Sequence, residues 1–495
     1  MTVFRDFARI AARQPDRPAV ALGGAALSYG ALAGLAERVA ARLLAEGLGG
    51  GRVALLLPNR AEFPALFLGI AMAGAAAMVL DPKWPPAQRD RVLALAEPDL
   101  ILADPALREG VPGRVVDCAA WLGEVGAGGA AGGGVGLPDI PDTAPFYIGF
   151  TSGTTGTPKA FARSHRSWTA SFATGRAAFG LEDGDRILAP GPLVHSLFLY
   201  AAIDALGLGA SVHLLPAFDA QAALGIVEAA GITRLYLVPT MAAALVEAAR
   251  GRSFPGLRTV LFSGAKLQPA LRAAVAALFP AAEIVEFYGA SELSFVSYLS
   301  SRQGGPAESV GRAFPGVEIK IRRDDGGPAA PGEVGQLWLR SEMLCLGYLH
   351  PTDGSGYRVE GGWATVGDRA SVDAAGFLTL AGREGDMLIT GGLNVYPAEV
   401  EAALAALPEI AQAAVLGRPD PYWGEAVCAV IGWRGPARLD LAGLQARLRD
   451  RLPAYKIPRE VYVRDRFPET ASGKVARAAL RDWMLGPAAA AARLA

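Results

Sequence analysis

The feature that most constrains the fold is a repeated alternation of helical patterns with short apolar runs. ALAGLAERVAARLLAEG predicts an amphipathic helix and RVALLL a buried strand after it; FPALFLGIAMAGA and AMVLDP repeat the pair, and LILADP adds a strand. From Phe146 the alternation resumes with RILAPGPL, SVHLLP, RLYLVPT, RTVLFSGA and EIVEFYGAS, each of which predicts a strand that ends in a turn. The pattern is typical of a parallel sheet covered by helices, where ligands bind at the carboxyl ends of the strands.

Two later stretches of the chain have a different character. Between residues 311 and 380, VEIKIRR, GQLWLRS and GFLTLAG predict alternating strands in a small β-rich section. After Gly382, helical patterns mix with the apolar run AVCAVIGW, which predicts a compact α+β unit of about 110 residues. We therefore expect an α/β protein with two domains. Residues 1–384 form a large domain of helix-covered sheets with the β-rich section, and residues 385–495 form a small mobile α+β domain.

Composition excludes several classes of protein. The chain has 47 Lys plus Arg against 48 Asp plus Glu, so no global attraction to nucleic acid or to anionic membranes is expected. The three cysteines lie far apart in the sequence, which argues against a disulfide framework or a thiolate metal cluster. The uncharged stretch 63–80 contains proline and glycine, and we expect a buried helix and strand there rather than a membrane span. The start shows no targeting signal, so a cytoplasmic protein is expected.

The most informative motif is FTSGTTGTPKA, residues 150–160, which follows an apolar run. Hydroxyl groups and free backbone N–H groups can hold phosphate oxygens, and a lysine can neutralise them. The motif differs from the nucleoside-triphosphatase loop, because proline precedes its lysine and alanine follows it. Without other evidence, a flexible turn is the alternative. The residues expected at the phosphates are Thr151, Ser152, Gly153, Thr154, Thr155, Gly156 and Lys159.

The segment TSGTTGTPK resembles the signature of the adenylate-forming superfamily, which includes acyl-CoA synthetases, adenylation domains and luciferases. Four further segments are similar to motifs of that superfamily and occur in its order: FYGASE (287–292), VGDRA (366–370), GREGDMLITGGLNVYPAEVE (382–401) and ASGKVAR (471–477). FYGASE departs from the usual pattern in carrying Ser291 where threonine is common. The resemblance covers essentially the whole chain, and it is closest to an acyl-CoA synthetase.

The resemblance implies ATP, Mg2+ and coenzyme A, and a reaction in two halves. A carboxylate attacks the α-phosphate of ATP to give an acyl-adenylate and pyrophosphate, and a thiol then displaces AMP. Because the carboxylate is already ionised near neutral pH, catalysis should depend on positioning and electrostatics. The implied roles are a magnesium ligand at Glu292 and a catalytic ammonium group at Lys474. The other residues implied to bind the nucleotide are Gly264, Ala265, Phe287, Tyr288 (stacking on adenine), Gly289, Ser291, Asp368 (ribose hydroxyls) and Arg383 (ribose or phosphate).

The resemblance also implies which residues bind the acid and which line the path of the thiol. His195 falls beside the substrate carboxylate and the thiol tunnel and is assigned a catalytic role, whereas His165 is expected to make a structural hydrogen bond. Amino-acid-activating relatives usually carry an aspartate where this chain has Ser196, so an α-amino acid is not expected. The presumed pocket is apolar or small, which favours a hydrophobic monocarboxylate, fatty or aromatic. Its residues are His195, Ser196, Val238, Ser263, Gly289, Ala290 and Leu293; Gly391 and Gly392 are assigned to the coenzyme A tunnel and Gly385 to the hinge.

Three alternatives remain open at this point. The acyl group could be loaded onto a carrier protein on another polypeptide rather than onto coenzyme A, although free coenzyme A is favoured. A protein that binds ATP or acyl groups without catalysis would share the fold, but the chain keeps Lys159, Glu292, Asp368, Arg383 and Lys474. An oxygenase of the luciferase kind shares all five motifs.

Overall fold

The computed structural model describes residues 1–127, 136–151, 159–350, 356–383, 387–390, 393–420, 423–470 and 474–494. The chain divides into two compact units. The first unit comprises Met1–Gly305, Gly311–Glu318 and Leu339–Val366, and the second comprises Pro306–Val310, Ile319–Trp338 and Gly367–Ala495. The boundary predicted between residues 384 and 385 falls within the second unit, and it stays a prediction of where the chain pivots.

The elements follow the predicted alternation. The helices are α1 (Arg5–Arg13), α2 (Tyr29–Ala45), α3 (Phe63–Met72), α4 (Pro86–Ala96), α5 (Cys118–Ala127), α6 (His165–Phe179), α7 (Ser196–Leu208), α8 (Ala220–Ala229), α9 (Pro239–Ala249), α10 (Pro269–Leu278), α11 (Pro397–Ala405), α12 (Leu441–Arg449) and α13 (Arg477–Leu485). The strands are β1 (Pro18–Leu22), β2 (Ala25–Ser28), β3 (Arg52–Leu56), β4 (Ala76–Val79), β5 (Leu100–Ala103), β6 (Val115–Asp117), β7 (Pro145–Thr151), β8 (Lys159–Ser164), β9 (Arg186–Ala189), β10 (Ser211–Leu214), β11 (Arg234–Leu237), β12 (Thr259–Phe262), β13 (Glu283–Ala290), β14 (Ser294–Ser300), β15 (Arg312–Ala313), β16 (Glu318–Arg322), β17 (Gly335–Arg340), β18 (Gly347–Tyr348), β19 (Arg358–Glu360), β20 (Trp363–Thr365), β21 (Asp368–Val372), β22 (Leu378–Arg383), β23 (Leu388–Thr390), β24 (Leu393–Val395), β25 (Ile410–Asp420), β26 (Gly424–Trp433) and β27 (Glu460–Val463).

Two large sheets form the first unit. One has nine strands in the order β15-β14-β13-β12-β11-β9-β10-β1-β2, and the other has seven in the order β18-β8-β7-β4-β3-β5-β6. Strands β1 and β9–β13 pair in parallel in the first sheet, and β3–β7 do so in the second. The parallel sheets predicted from the helix–strand alternation are therefore confirmed.

The uncharged stretch 63–80 is a buried helix followed by a buried strand, as predicted. Every residue of α3 is buried, and so is every residue of β4. In the part of the chain that the structure describes, no helix is both long enough and apolar enough to cross a membrane.

The core beside the candidate site packs three helices against the nine-stranded sheet. Leu235 and Leu237 of β11, Val260 and Phe262 of β12, and Leu245 of α9 belong to one buried cluster that also includes residues of α8 and α10. A fully buried leucine or valine side chain contributes about 1.5–3 kcal/mol to folding. This core therefore holds the carboxyl ends of β11 and β12 side by side, and β13 pairs with β12.

The second unit contains part of the β-rich section, including β21 and β22, together with the α+β unit. Strand β21 pairs with both β17 and β22. Strands β24-β23-β26-β25, with β27 beside β26, form a further sheet. One buried cluster packs α11 and α12 on this sheet, and a second cluster joins the sheet to Leu480 and Met484 of α13. The α+β character predicted after Gly382 is confirmed.

Candidate active site

The phosphate motif lies between two paired strands of the seven-stranded sheet. Strands β7 and β8 are antiparallel, and Thr151 at the end of β7 is the register partner of Lys159 at the start of β8. The two ends of the motif are therefore fixed beside each other by the sheet. Five of the predicted phosphate residues lie outside the described part of the chain: Ser152, Gly153, Thr154, Thr155 and Gly156.

The centre of the candidate site is the carboxylate of Glu292, which is 6% exposed. The hydroxyl groups of Thr151 and Tyr348 donate to its Oε1 at 3.1 and 2.8 Å. Burial and the neighbouring Glu292 charge raise the pKa of Tyr348. Among the described residues, no lysine or arginine lies within ion-pair distance of Glu292. A buried carboxylate with only neutral donors has the hard oxygen chemistry that Mg2+ prefers, so the residues present fit the implied ion.

The backbone geometry that presents Glu292 depends on Gly289. Strands β13 and β14 are antiparallel with a register shift between Tyr288 and Gly289, which is a β-bulge of the kind that re-aims side chains near active sites. A Cβ atom at Gly289 would collide with the carbonyl oxygen of Ser294, so only glycine fits. On β13, Phe287 packs edge-on against Phe295 at 5.1 Å. The stacking of adenine on Tyr288 stays a prediction.

The residues assigned to the acid lie at the carboxyl ends of three neighbouring parallel strands. Val238 directly follows β11, Ser263 directly follows β12, and Gly289 and Ala290 end β13. Strand β12 pairs in parallel with both β11 and β13. These positions therefore lie together at the edge of the sheet where ligands bind in such folds, and their contacts with the acid stay a prediction. Gly264 takes a left-handed backbone conformation (φ +93°), so the turn predicted before Ala265 is present.

A row of three hydroxyl groups reaches from the phosphate side of the site to the acid side. Ser196 is the first residue of α7, and His195 precedes it directly. The Ser196 hydroxyl lies 3.4 Å from the hydroxyl of Tyr147 and 3.5 Å from that of Ser291. These groups are neutral, so they offer hydrogen bonds to an anionic or polar group but no ion pair to an ammonium group. The role of His195 beside the substrate carboxylate stays a prediction.

Besides Tyr147 and Tyr348, two further residues that hold this site together were missed by the sequence analysis. The Asn59 amide nitrogen donates to the carbonyl oxygens of Gly191 at 3.0 Å and Leu215 at 2.8 Å, and its oxygen accepts from the Leu193 N–H at 2.8 Å. It thereby fixes the segment that leads into His195. Because Asn59 follows β3 closely, its position after a buried strand was the one signal that could have identified it.

The second missed residue is Arg163, which is 3% exposed. Its guanidinium group donates to the carbonyl oxygens of Ser291 at 2.8 Å and Met343 at 2.7 Å. It pairs with no carboxylate among the described residues, and burial lowers its pKa. Arg163 therefore holds the turn that carries Glu292. Nothing in the local sequence KAFARS marks this arginine as different from a surface one.

Two other polar residues make structural contacts. His165 accepts a hydrogen bond from the Val3 N–H at 3.3 Å and stacks on Phe146 at 4.8 Å, and burial lowers its pKa to about 4. Its predicted structural role is confirmed. Lys266 was not assigned, and its ammonium group lies 3.2 Å from the Glu286 carboxylate.

In the second unit, two of the predicted nucleotide residues are register partners in a strand pair. Asp368 at the start of β21 is paired with Arg383 at the end of β22, and Asp368 is 5% exposed. Opposed residues of an antiparallel pair are close neighbours along the backbone. The contacts of both with one ribose stay a prediction. The hinge and tunnel residues Gly385, Gly391 and Gly392 lie outside the described part of the chain.

Segments 468–470 and 474–476 pair antiparallel, and we call this pair the hairpin. Lys474 is exposed at its end, and Arg477 follows the hairpin directly. The Thr470 N–H donates to the Lys474 carbonyl oxygen at 2.7 Å, and the Lys474 N–H donates to the Thr470 hydroxyl at 3.2 Å. The Arg477 guanidinium group donates to the Val415 carbonyl oxygen at 2.8 Å and to the Glu401 carboxylate. Glu401 in turn accepts from the Val415 N–H at 2.7 Å. We call Arg477, Glu401 and Val415 the hairpin clamp.

Comparisons with known proteins agree with this geometry. The model of the AMP-binding enzyme family matches residues 7–349, and that of the AMP-binding enzyme C-terminal domain matches residues 399–474. The uncharacterized acyl–CoA ligase YhfT of Bacillus subtilis (strain 168) is 38% identical over 492 residues, which is 98% of each chain. Feruloyl-CoA synthase of an Amycolatopsis species is 33% identical over 96% of this chain and 97% of its own. The o-succinylbenzoate CoA synthetase MenE of Bacillus subtilis, solved with ATP and a magnesium ion, superimposes with a TM-score of 0.84 at 27% identity, covering 96% of this chain and 99% of its own.

The chain belongs to the AMP-binding enzyme family, which is the adenylate-forming superfamily that its motifs indicated. Within that superfamily it is most like the acyl-CoA synthetases, and it is an AMP-forming enzyme of that kind.

Proposed function

We propose that this enzyme activates a hydrophobic carboxylic acid with ATP and transfers the acyl group to coenzyme A. The products are acyl-CoA, AMP and pyrophosphate. The observation that carries the proposal is the buried Glu292 carboxylate, held by Thr151 and Tyr348 without a cationic partner among the described residues. The names of the relatives support it, because feruloyl-CoA synthase and MenE both make coenzyme A thioesters.

In the first half-reaction the difficulty is repulsion between the acid carboxylate and the phosphates of ATP. Lys159 would neutralise phosphate charge at the start of β8, and Glu292 would hold Mg2+. When bound, the ion offsets the charge that develops on the leaving pyrophosphate. Lys474 would bridge the carboxylate and the α-phosphate, which lowers the repulsion in the transition state. Asp368 and Arg383 would hold the ribose, so the α-phosphorus is presented to the attacking oxygen.

The acid is proposed to be a monocarboxylate with an apolar body. Ser196 and the hydroxyl groups near it provide no carboxylate for an α-ammonium group. Burying an ammonium group without a partner costs several kcal/mol. Val238 and Leu293, which are almost fully buried, would contribute apolar surface.

In the second half-reaction the small domain is proposed to turn about Gly385, so that Lys474 leaves and Gly391 and Gly392 take its side of the site. Glycine at the hinge allows two backbone conformations, and the absence of Cβ atoms at the tunnel lets the pantetheine arm pass close to the backbone. Coenzyme A is the proposed acceptor, because the named relatives use it; a carrier protein is the alternative.

A panel of carboxylic acids scored by acid-dependent exchange of pyrophosphate into ATP tests the first half-reaction. The same panel with coenzyme A and with holo-carrier protein tests the acceptor. We expect exchange with hydrophobic acids and thioester formation with coenzyme A. ATP binding without exchange for any acid would show a non-catalytic protein, and oxygen uptake with the adenylate would show a luciferase-type reaction. Faster transfer to the carrier protein would overturn the choice of coenzyme A.

A further inference from the structure

Three buried polar atoms between α7 and β11 have no hydrogen-bond partner among the described residues. They are the hydroxyl oxygen atoms of Tyr200 and Tyr236 and the Oδ2 atom of Asp204. Buried polar groups in proteins are almost always paired, so three such atoms together call for an explanation. They lie on two elements in contact, because Tyr200 and Asp204 are one turn apart on α7, and α7 packs against β11, which carries Tyr236. Burial raises the pKa of both tyrosines and the Asp204 charge raises it further, whereas the nearby Ser171 hydroxyl lowers that of Tyr200.

The other carboxylate oxygen of Asp204, Oδ1, already has a hydrogen-bond partner. Oδ1 accepts from the Arg176 Nε at 2.7 Å, and the Asp204 carbonyl oxygen accepts from the same guanidinium group at 3.1 Å. The ion pair is therefore neutral as a whole, and only Oδ2 is left without a partner within the described part of the chain. A ligand group that meets this cluster has to donate to Oδ2 and can accept from the tyrosine hydroxyl groups.

The cluster continues the two elements that carry the proposed acid residues. On α7, Tyr200 and Asp204 follow Ser196 at intervals of four residues, so the three share one face of the helix at about 6 and 12 Å along its axis. On β11 and just after it, Tyr236 and Val238 are two residues apart and point to the same side. Ser196 and Val238 mark the carboxylate end, so Tyr200, Tyr236 and Asp204 lie farther in.

We propose that Tyr200, Tyr236 and Asp204 form the inner end of the acid-binding pocket, and that the substrate is an aromatic acid with a hydroxyl group distant from its carboxylate. This inference rests on the proposed function and narrows its substrate class. A hydroxyl group both donates and accepts, so it satisfies Oδ2 and a tyrosine at once. A carboxylate or sulfonate would face the Asp204 charge, and an ammonium group would add a net charge to a neutral buried pair.

The surroundings of the cluster favour a ring over an alkyl chain. The Tyr200 ring meets Trp168 at 5.5 Å and Phe295 at 5.2 Å edge to face, and Phe172 at 5.3 Å. Aromatic rings prefer such edge-to-face and offset contacts, so a substrate ring that reaches Tyr200 would extend this group of packed rings. Asp204 is 1% exposed, which closes the inner end to a long chain.

Matched pairs of acids test the inference. We compare kcat/KM for 4-hydroxycinnamate with cinnamate, for 4-hydroxyphenylacetate with phenylacetate, and for 6-hydroxyhexanoate with hexanoate. We expect the hydroxylated aromatic acid to exceed its partner at least tenfold, which corresponds to about 1.4 kcal/mol. A site built to bind a hydroxyl group discriminates strongly against the analogue that lacks it.

Variants of the cluster then test whether its residues cause the preference for hydroxylated aromatic acids. In Tyr236→Phe and Asp204→Asn, the ratio of kcat/KM for the hydroxylated aromatic acid to that for its unsubstituted partner should fall below threefold. Because both constants are measured on one preparation, an inactive misfolded fraction cancels from this ratio. The matched control is Tyr29→Phe, which removes a buried hydroxyl that donates to the Ala210 carbonyl oxygen at 2.7 Å and is not part of the cluster; the preference should stay unchanged there.

Two results separate the inference from the proposed function. If apolar acids are activated but hydroxylated ones show no advantage, the inference is wrong and the three polar atoms are satisfied by internal water or by each other. If no acid of the panel supports exchange, the proposed function itself is wrong. Should both variants fail to fold, the wild-type ratios alone decide between these outcomes.

Discussion

Replacing Arg477 with methionine should impair adenylate formation without impairing thioester formation. The change keeps an unbranched side chain but removes both hydrogen bonds of the hairpin clamp, to Val415 and to Glu401. A hydrogen bond to a charged group contributes about 1.5–3 kcal/mol when buried. The Arg477 side chain is 33% exposed, so solvent screening reduces this to about 1.5 kcal/mol. The hairpin that carries Lys474 should then hold its position about tenfold less often.

The assay measures both half-reactions with the same purified variant. We expect Arg477→Met to slow adenylate formation about tenfold and Lys474→Ala to slow it at least ~100-fold, or ~2.7 kcal/mol. Both should leave thioester formation from supplied acyl-adenylate within about threefold. Arg481→Met is the matched control, because Arg481 lies on the same helix, is 47% exposed and approaches Glu425 only to 4.0 Å. It should behave like the wild type.

The double variant decides whether Arg477 acts through Lys474. If it does, adding Arg477→Met to Lys474→Ala should cost nothing further, since the group being positioned is already absent. Independent, multiplying losses would refute the clamp as a positioning device. Equal losses in the two half-reactions would show instead that Arg477 supports the fold of the second unit.

Further predictions concern the metal, the thiol, the acid and the response to pH. Glu292→Ala should lower magnesium-dependent exchange at least ~100-fold, and wild-type-like exchange at limiting magnesium would contradict its role. Gly392→Leu should slow thioester formation more than adenylate formation; similar losses would indicate misfolding. α-Amino acids should show lower kcat/KM than apolar acids, and an amino acid as the best substrate would exclude the pocket proposed around Ser196. Because burial lowers the pKa of His165 to about 4, the neutral ring stabilises the fold above pH ~6.5, and this contribution is lost as the pH falls towards 4. In urea unfolding, the stability difference between wild type and His165→Phe should therefore shrink by about 3 kcal/mol from pH 7 to pH 4, and a constant difference would contradict it.

The sequence predicted the features that are encoded locally. Helix–strand alternation is a periodic signal, so the parallel sheets and the α+β unit could be inferred from the order of residues alone. The apolar residues around Glu292 in EFYGASELSFV predict that it is buried, and the structure confirms this. Lys266 could not be assigned in this way, since its partner Glu286 lies twenty residues farther along the chain.

What the sequence could not predict depends on contacts between distant segments. Tyr348 donates to Glu292 from 56 residues away, and Arg163 reaches Ser291 across 128 residues. Each is a single residue without a motif, and its environment exists only after the sheets have assembled. The cluster of Tyr200, Asp204 and Tyr236 is of the same kind, because two elements must pack before its polar atoms meet.

The hydrogen bonds of Asn59 have a consequence for how the enzyme folds. They join the end of β3, in the seven-stranded sheet, to the segments after β9 and β10, in the nine-stranded sheet, across 132 to 156 residues. Closing such long loops is slow, because the chain loses conformational entropy before the new contacts stabilise the closed loop. The segment before His195 can reach its final position only when both sheets have formed. During refolding, catalytic competence should thus be recovered in the last phase, after most secondary structure has returned.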